Sequence, residues 1–313
     1  LVYILQAHSL FNSCAVREKE LSAEFEQRAF RIQEQYNITA GRKSALSSTK
    51  QLQELQRKHS DYLSNLRCEL RSQVDDLIAM IELYDDKPEN LNCSKNVNLE
   101  ATISDRMEII STECTNKMIE LAAMMIKDAV GLMAAEPPCS YAAVALGSMA
   151  KLEATPYSDL EFLFLIEEHT SETEAYFEQL AINVYFLIGN LQETNLKYMN
   201  IDELEGWFKD KSKSGFKIDG LRANAGNIPT GNGEPQSKNK YICTVAYLLG
   251  RYRQIFQNPI AELKREDRPP DLIGDESDML AYVRLITSFC SKGDMLFTQL
   301  EDGIRDTELN NER

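Results

Sequence analysis

Apolar residues recur at intervals of three and four over residues 17–36, at Leu21, Phe25, Ala29, Ile32 and Tyr36. That spacing lines one face of a helix. After the breaker-rich 38-ITAGRKSALSSTK-50, a second stripe runs through Leu52, Leu55, Tyr62, Leu66, Leu70, Val74, Leu77 and Ile81. It predicts a helix of about thirty residues, long enough for a helical hairpin or coiled coil. The stretch 84-YDDKPENLNCSKN-96 reads as a linker because Pro88 and several Asn and Asp interrupt any period. Met107, Ile110, Cys114, Met118, Leu121 and Met125 then outline a third helix, which ends before Pro137 and Pro138. At this spacing the methionines read as core and not as metal ligands.

Past the prolines the period changes. Residues 140–146 (SYAAVAL) and 160–166 (LEFLFLI) are short apolar runs bounded by turn residues, the pattern of buried strands. A helix is expected over about 172–192, with Tyr176, Leu180, Val184 and Ile188 on one face, and 215-GFKIDGLR-222 reads as a third strand. The Gly-, Asn- and Pro-rich stretch 223–240 reads as a loop. Two further helices are expected near 241–257 and 276–301, the second carrying Met279, Val283, Ile286, Cys290 and Phe297. No internal repeat is present. The pattern predicts an α+β protein with a small mixed sheet in three parts: a helical arm over 1–86, a core over 98–235 and a C-terminal helical region over 236–313.

Composition narrows the function classes. At 313 residues with 43% apolar content, the chain can bury a substantial core. A net charge of −15 argues against general binding to nucleic-acid backbones, which takes clustered Lys and Arg. The seven cysteines include no C-x-x-C pair, so they suggest a reducing, cytoplasmic setting and neither a disulfide framework nor a cysteine-based zinc site. Three histidines leave little for a histidine metal centre or a Ser-His-Asp triad. No apolar run approaches the ~20 residues that cross a bilayer, so no membrane partner is expected. The opening LVYILQ, without Met, reads as a piece of something longer.

The chemistry concentrates in 147-GSMAKLEATPYSDLEFLFLI-166. Gly147 lets the chain turn at the end of a strand, and Ser148 is placed to cap a short helix whose free N–H groups favour an anion, commonly phosphate. The chain then returns with Asp159 and Glu161 flanking Leu160 at the mouth of the next strand. Alternation puts both carboxylates on one face. Side by side they repel unless a cation lies between them, and a hard divalent ion with oxygen ligands, Mg²⁺ above all, suits the pair.

A Gly-Ser turn, a spacer and S-D-x-[DE] entering an apolar strand resembles the nucleotidyltransferase superfold typified by DNA polymerase beta. Within it the pattern is similar to the amino-terminal region of PII-uridylyltransferases, to related nucleotidyltransferases and to glutamine-synthetase adenylyltransferases, which tend to read G-S-x-x-R-x-E-x-x-x-x-S/T-D-x-D. The matching residues are Gly147, Ser148, Glu153, Ser158 and Asp159, with Glu161 keeping the charge of the last acid, and the likeness covers roughly residues 104–260. Lys151 stands where the branch has Arg, a point charge in place of a bidentate fork. The resemblance implies a third acid on a neighbouring strand, for which Asp219 is the candidate, with Arg222 one residue late in the D-x-R pattern.

On this resemblance Asp159, Glu161 and Asp219 hold two Mg²⁺ (or Mn²⁺) ions with bound NTP, and Gly147, Ser148, Lys151, Ser158, Arg222 and Lys240 contact the nucleotide. Lys238, Lys240 and Arg251 lie after the loop where they could meet a triphosphate, although a solvated basic stretch is the default reading of such residues. The implied reaction moves NMP from an NTP to a hydroxyl with release of pyrophosphate. A protein acceptor is suggested by the related branch, and the N-terminal helices offer a surface for self-association or partner docking. Two alternatives stay open: a catalytically degenerate module that binds nucleotide or serves as a scaffold, and a small-molecule or oligonucleotide synthase of the same fold.

Overall fold

The computed structural model describes residues 22–39, 49–83, 94–133, 135–158, 160–191, 242–257, 284–288 and 291–311. Three helices come first: α1 (Ser22–Thr39), α2 (Thr49–Ile81) and α3 (Ser94–Gly131). The expected stripe of α2 is buried at Leu52, Leu66, Leu70 and Leu77, with Leu63 beside it, while Val74 and Ile81 are exposed. It lies antiparallel on α3: Lys58 reaches Asp128, Tyr62 reaches Glu120 and Gln73 reaches Glu113, so rising numbers on one helix meet falling numbers on the other. The end of the expected linker, from Ser94, is already helical. Met107 is largely exposed although it sits on the apolar stripe of α3, whereas Met118, Leu121 and Met125 are fully buried.

Strand β1 (Tyr141–Ala145) leads through a four-residue helix, α4 (Gly147–Ala150), and a turn to β2 (Phe162–Ile166), and α5 (Ser171–Gly189) follows. The chain is described again at β3 (Ile242–Cys243), α6 (Val245–Gln257), β4 (Arg284–Ser288) and α7 (Ser291–Asn311). The four strands form one sheet in the order β3-β2-β1-β4. β1 is antiparallel to both β2 and β4, and β2 is parallel to β3.

Both faces of this sheet are covered, which is why β1 and β2 are buried at every position. Tyr141, Ala143 and Ala145 of β1, with Phe162, Phe164 and Ile166 of β2, join α2, α3 and α5 in one apolar cluster that begins at Phe30 of α1. The alternate residues Ala142, Val144, Leu163 and Leu165 pack against Leu248, Tyr252, Leu300 and Ile304 of α6 and α7. The period of two thus feeds two cores, with β1 and β2 central between helical layers. The result is the expected α+β architecture: a small mixed sheet with helical flanks.

One expected element is corrected. The helix foreseen over 276–301 is a strand at 284–288, and helix begins only at Ser291. β4 pairs with β1 through a register shift: Ala143 faces Thr287 and Val144 faces Leu285, leaving Ile286 as the extra residue of a bulge. The bulge sends adjacent Leu285 and Ile286 to opposite cores, so the alternation that marks a strand is lost and a spacing of threes remains. Likewise Ile242 and Cys243, placed at the head of the helix near 241–257, form strand β3. The expected strand over 215–222, the loop over 223–240 and residues 276–283 lie outside the described residues.

Candidate active site

β1 ends where the chemistry was expected to begin. Ladder pairing continues one step past the strand, with the Leu146 amide donating to the Glu161 carbonyl at 3.0 Å. That bond brings the Gly147 turn against the residue entering β2. Gly147 has φ +58°, the left-handed region that glycine enters at no steric cost. It also lacks the side chain that would occupy the place of the Glu161 carboxylate, since a Cβ on Gly147 would collide with Oε2 of Glu161. Glycine is therefore required twice over, for its backbone angle and for the space that seats the acid.

Ser148 does not cap α4. Leu146 holds the N-cap position without a side-chain bond, and Ser148 lies inside the first turn. With four residues, α4 is too short to build a macrodipole, so any anion held here is met by local backbone donors and not by a helix end. Lys151 closes α4, its amide donating to the Gly147 carbonyl at 3.1 Å, and the Glu153 amide donates to the Ser148 carbonyl at 2.9 Å. The Glu153 side chain is exposed.

The connection from Lys151 to Ser158 is held from outside. Leu152 adopts φ +64°, which costs a residue with a Cβ roughly 1–2 kcal/mol. Its carbonyl accepts the hydroxyl of Ser111 on α3. One turn on, the buried Thr115 hydroxyl accepts the Ala154 amide at 3.0 Å while donating to the Ser111 carbonyl at 2.8 Å. On α2, Arg67 donates to the Pro156 carbonyl at 3.0 Å, and its guanidinium stacks 4.2 Å from the centre of the Tyr157 ring. Ser158 folds back on the turn, its hydroxyl accepting the Thr155 amide at 2.8 Å.

The structure therefore brings Gly147, Ser148, Lys151 and Glu161 to one end of the sheet, and it places Ser158 at the close of the turn that precedes Asp159. Leu160 is fully buried in the cluster shared by α3 and α5, which leaves Glu161 on the opposite face beside the Gly-Ser turn. Asp159, Asp219, Arg222 and Lys240 lie outside the described residues. Among the described residues no group of three or more His, Cys, Asp or Glu side chains is gathered for a metal ion. The partly buried Glu161 carboxylate, seated in a cradle that only glycine leaves open, is the kind of oxygen donor a hard divalent cation takes. Ser111, Thr115 and Arg67 escaped the sequence reading because they sit on helices 41, 39 and 89 residues away from the backbone atoms they hold.

The family model described as "Putative nucleotidyltransferase DUF294" matches residues 95–192, a span from the start of α3 to just past α5 that contains the Gly-Ser turn and Glu161. No curated protein and no solved structure gives a significant match to the chain. Among the described residues no helix is long and apolar enough to cross a membrane. That match, with a turn and acid arranged at the head of a mixed sheet, makes residues 95–192 similar to the nucleotidyltransferase superfamily.

Proposed function

We propose that the chain is a divalent-metal-dependent nucleotidyltransferase that moves NMP from an NTP to a hydroxyl, the acceptor being a protein. The observation that carries the reading is the Glu161 carboxylate seated against Gly147 inside the matched segment. Asp159, Glu161 and Asp219 are the acids for Mg²⁺ or Mn²⁺; when bound, the ions neutralise phosphate charge and lower the pKa of the attacking hydroxyl. The backbone of Gly147 and Ser148 receives the phosphates, and Lys151, Arg222 and Lys240 balance the triphosphate. In the reaction the acceptor oxygen bonds to the α-phosphorus in line with the departing pyrophosphate, so the chain contributes chiefly position and preorganised charge. A protein acceptor agrees with a net charge of −15, which disfavours nucleic-acid backbones.

Incubation with each α-labelled NTP and Mg²⁺ or Mn²⁺ tests the reading. One NTP is expected to label an acceptor and to raise the melting temperature, by the equivalent of about 2.7 kcal/mol at a hundredfold excess over its Kd. Glu161→Gln and Asp159→Asn are each expected to lower transfer by about two orders of magnitude or more. Absence of both transfer and thermal shift with all four NTPs and both metals would replace the enzyme by a non-catalytic module of the same fold.

A further inference from the structure

We infer that Arg67, Ser111 and Thr115 are positioning residues for nucleotidyl transfer: they clamp the backbone of residues 152–156 onto the α2–α3 hairpin and so set where Glu161 stands relative to the Gly-Ser turn. The inference rests on the proposed function and extends it to how the helical hairpin positions the site.

The segment between Lys151 and Ser158 joins the two halves of the site, the Gly147 turn and the acid entering β2. Little of it is held by apolar packing. Ala154 is buried, but Thr155 and Tyr157 are exposed, and a groove of about 690 Å³ opens between this turn and the α2–α3 hairpin. A stretch lying over a groove is oriented by its polar contacts. Three helical side chains make them: Ser111 to the Leu152 carbonyl, Thr115 to the Ala154 amide at 3.0 Å, and Arg67 to the Pro156 carbonyl at 3.0 Å with its plane on Tyr157. They fall at every second residue, so consecutive peptide planes cannot rotate independently. Leu152 is held in the left-handed region between the Ser111 bond and the Glu153 amide bond to Ser148. A strained backbone persists only where its surroundings over-determine it. Ser111 and Thr115 are one helical turn apart on α3 and linked to each other, and Arg67 comes from α2. A shift of α2 along α3 would therefore pull on Pro156 and Tyr157 but not on Leu152 or Ala154, and tilt the turn.

Two measurements decide the matter. In Arg67→Met and Thr115→Val, amide hydrogen exchange is expected to rise across residues 152–158 while that of β1 stays as in the wild type. In the transfer reaction, or in the NTP-dependent thermal shift, the same variants are expected to need about tenfold more Mg²⁺, with kcat lowered and KM for the NTP little changed. Arg67→Lys, which keeps a donor for Pro156 but not the stacking plane, should recover part of the loss. Unchanged exchange over 152–158, or faster exchange with an unaltered Mg²⁺ requirement, overturns the inference. A wild type without any nucleotide response defeats the proposed function on its own, and the exchange data then still decide whether the clamp sets the turn.

Discussion

Gly147 is the residue on which the site depends most directly. Its φ of +58° and the Glu161 carboxylate over its Cα both exclude a side chain. Gly147→Ala is expected to cost roughly 1–2 kcal/mol for the left-handed backbone alone, and more because the carboxylate must move. Urea denaturation measures the first effect and loss of Mg²⁺·NTP stabilisation the second. At Thr115 the hydrogen bond to the Ala154 amide sets the cost. Valine there keeps the shape but leaves the Ala154 amide buried without its acceptor, for a loss of about 1–3 kcal/mol by the same denaturation measurement. The two sites differ in legibility. A Gly-Ser pair after an apolar run signals a turn in the sequence, whereas no local pattern marks Thr115 as more than one polar residue of a long helix.

At the scale of elements, the long helices and the two central strands follow from periodicity. β1 and β2 are buried on both faces, and the stripe of α2 is wholly or partly buried as far as Leu70 and buried at Leu77, whereas Val74 and Ile81 near its end are exposed. The edge strand β4 does not follow, because its bulge at Ile286 removes the alternation, and only the free edge of β1 makes it a strand. The helix after it is docked tightly. A Cβ on Gly293 would press on the backbone carbonyl of Tyr141, which cannot swing aside as a side chain can. Gly293→Ala gains helix propensity of up to about 1 kcal/mol, yet it is expected to be net destabilising, by roughly 1–3 kcal/mol, from overpacking against β1. A melting temperature equal to or above that of the wild type would show that α7 does not sit on β1 so closely.

For the whole molecule, the sheet, α1 and the α2–α3 hairpin share a continuous apolar core, and polar ties reinforce it. Asn190 after α5 donates to Gln33 of α1 at 3.0 Å. At the far end of the hairpin, Asp128 accepts from Lys58 at 2.7 Å and from the buried His59 at 2.8 Å. Burial pushes the Asp128 carboxyl up, but the hydrogen bonds and charges of His59 and Lys58 outweigh it and hold the group below its ordinary 3.8. A carboxylate depressed by folding stabilises the native state above its unfolded pKa, and the contribution is lost as the pH falls through the lower folded value. Asp128→Asn is therefore expected to be less stable than the wild type near neutrality, with the difference shrinking as the pH drops below about 4. Denaturation midpoints across that range check this, and a constant difference at all pH values would remove Asp128 from the acid response.

The sequence by itself determined the fold class and pointed to one turn as the candidate place for chemistry. Apolar periods of 3.6 and 2 mark the faces available for burial, and a glycine-serine turn eleven residues ahead of two acids marks a candidate site. Tertiary structure alone decided which elements meet. It pairs α2 antiparallel with α3, recruits Arg284–Ser288 to the sheet edge, and brings Arg67, Ser111 and Thr115 to the turn beside Glu161. Local patterns record which face of an element is apolar, because that depends only on the spacing of residues along the chain. Hydrogen bonds spanning 39 to 89 residues leave no such trace, since their partners become neighbours only once the two cores have closed.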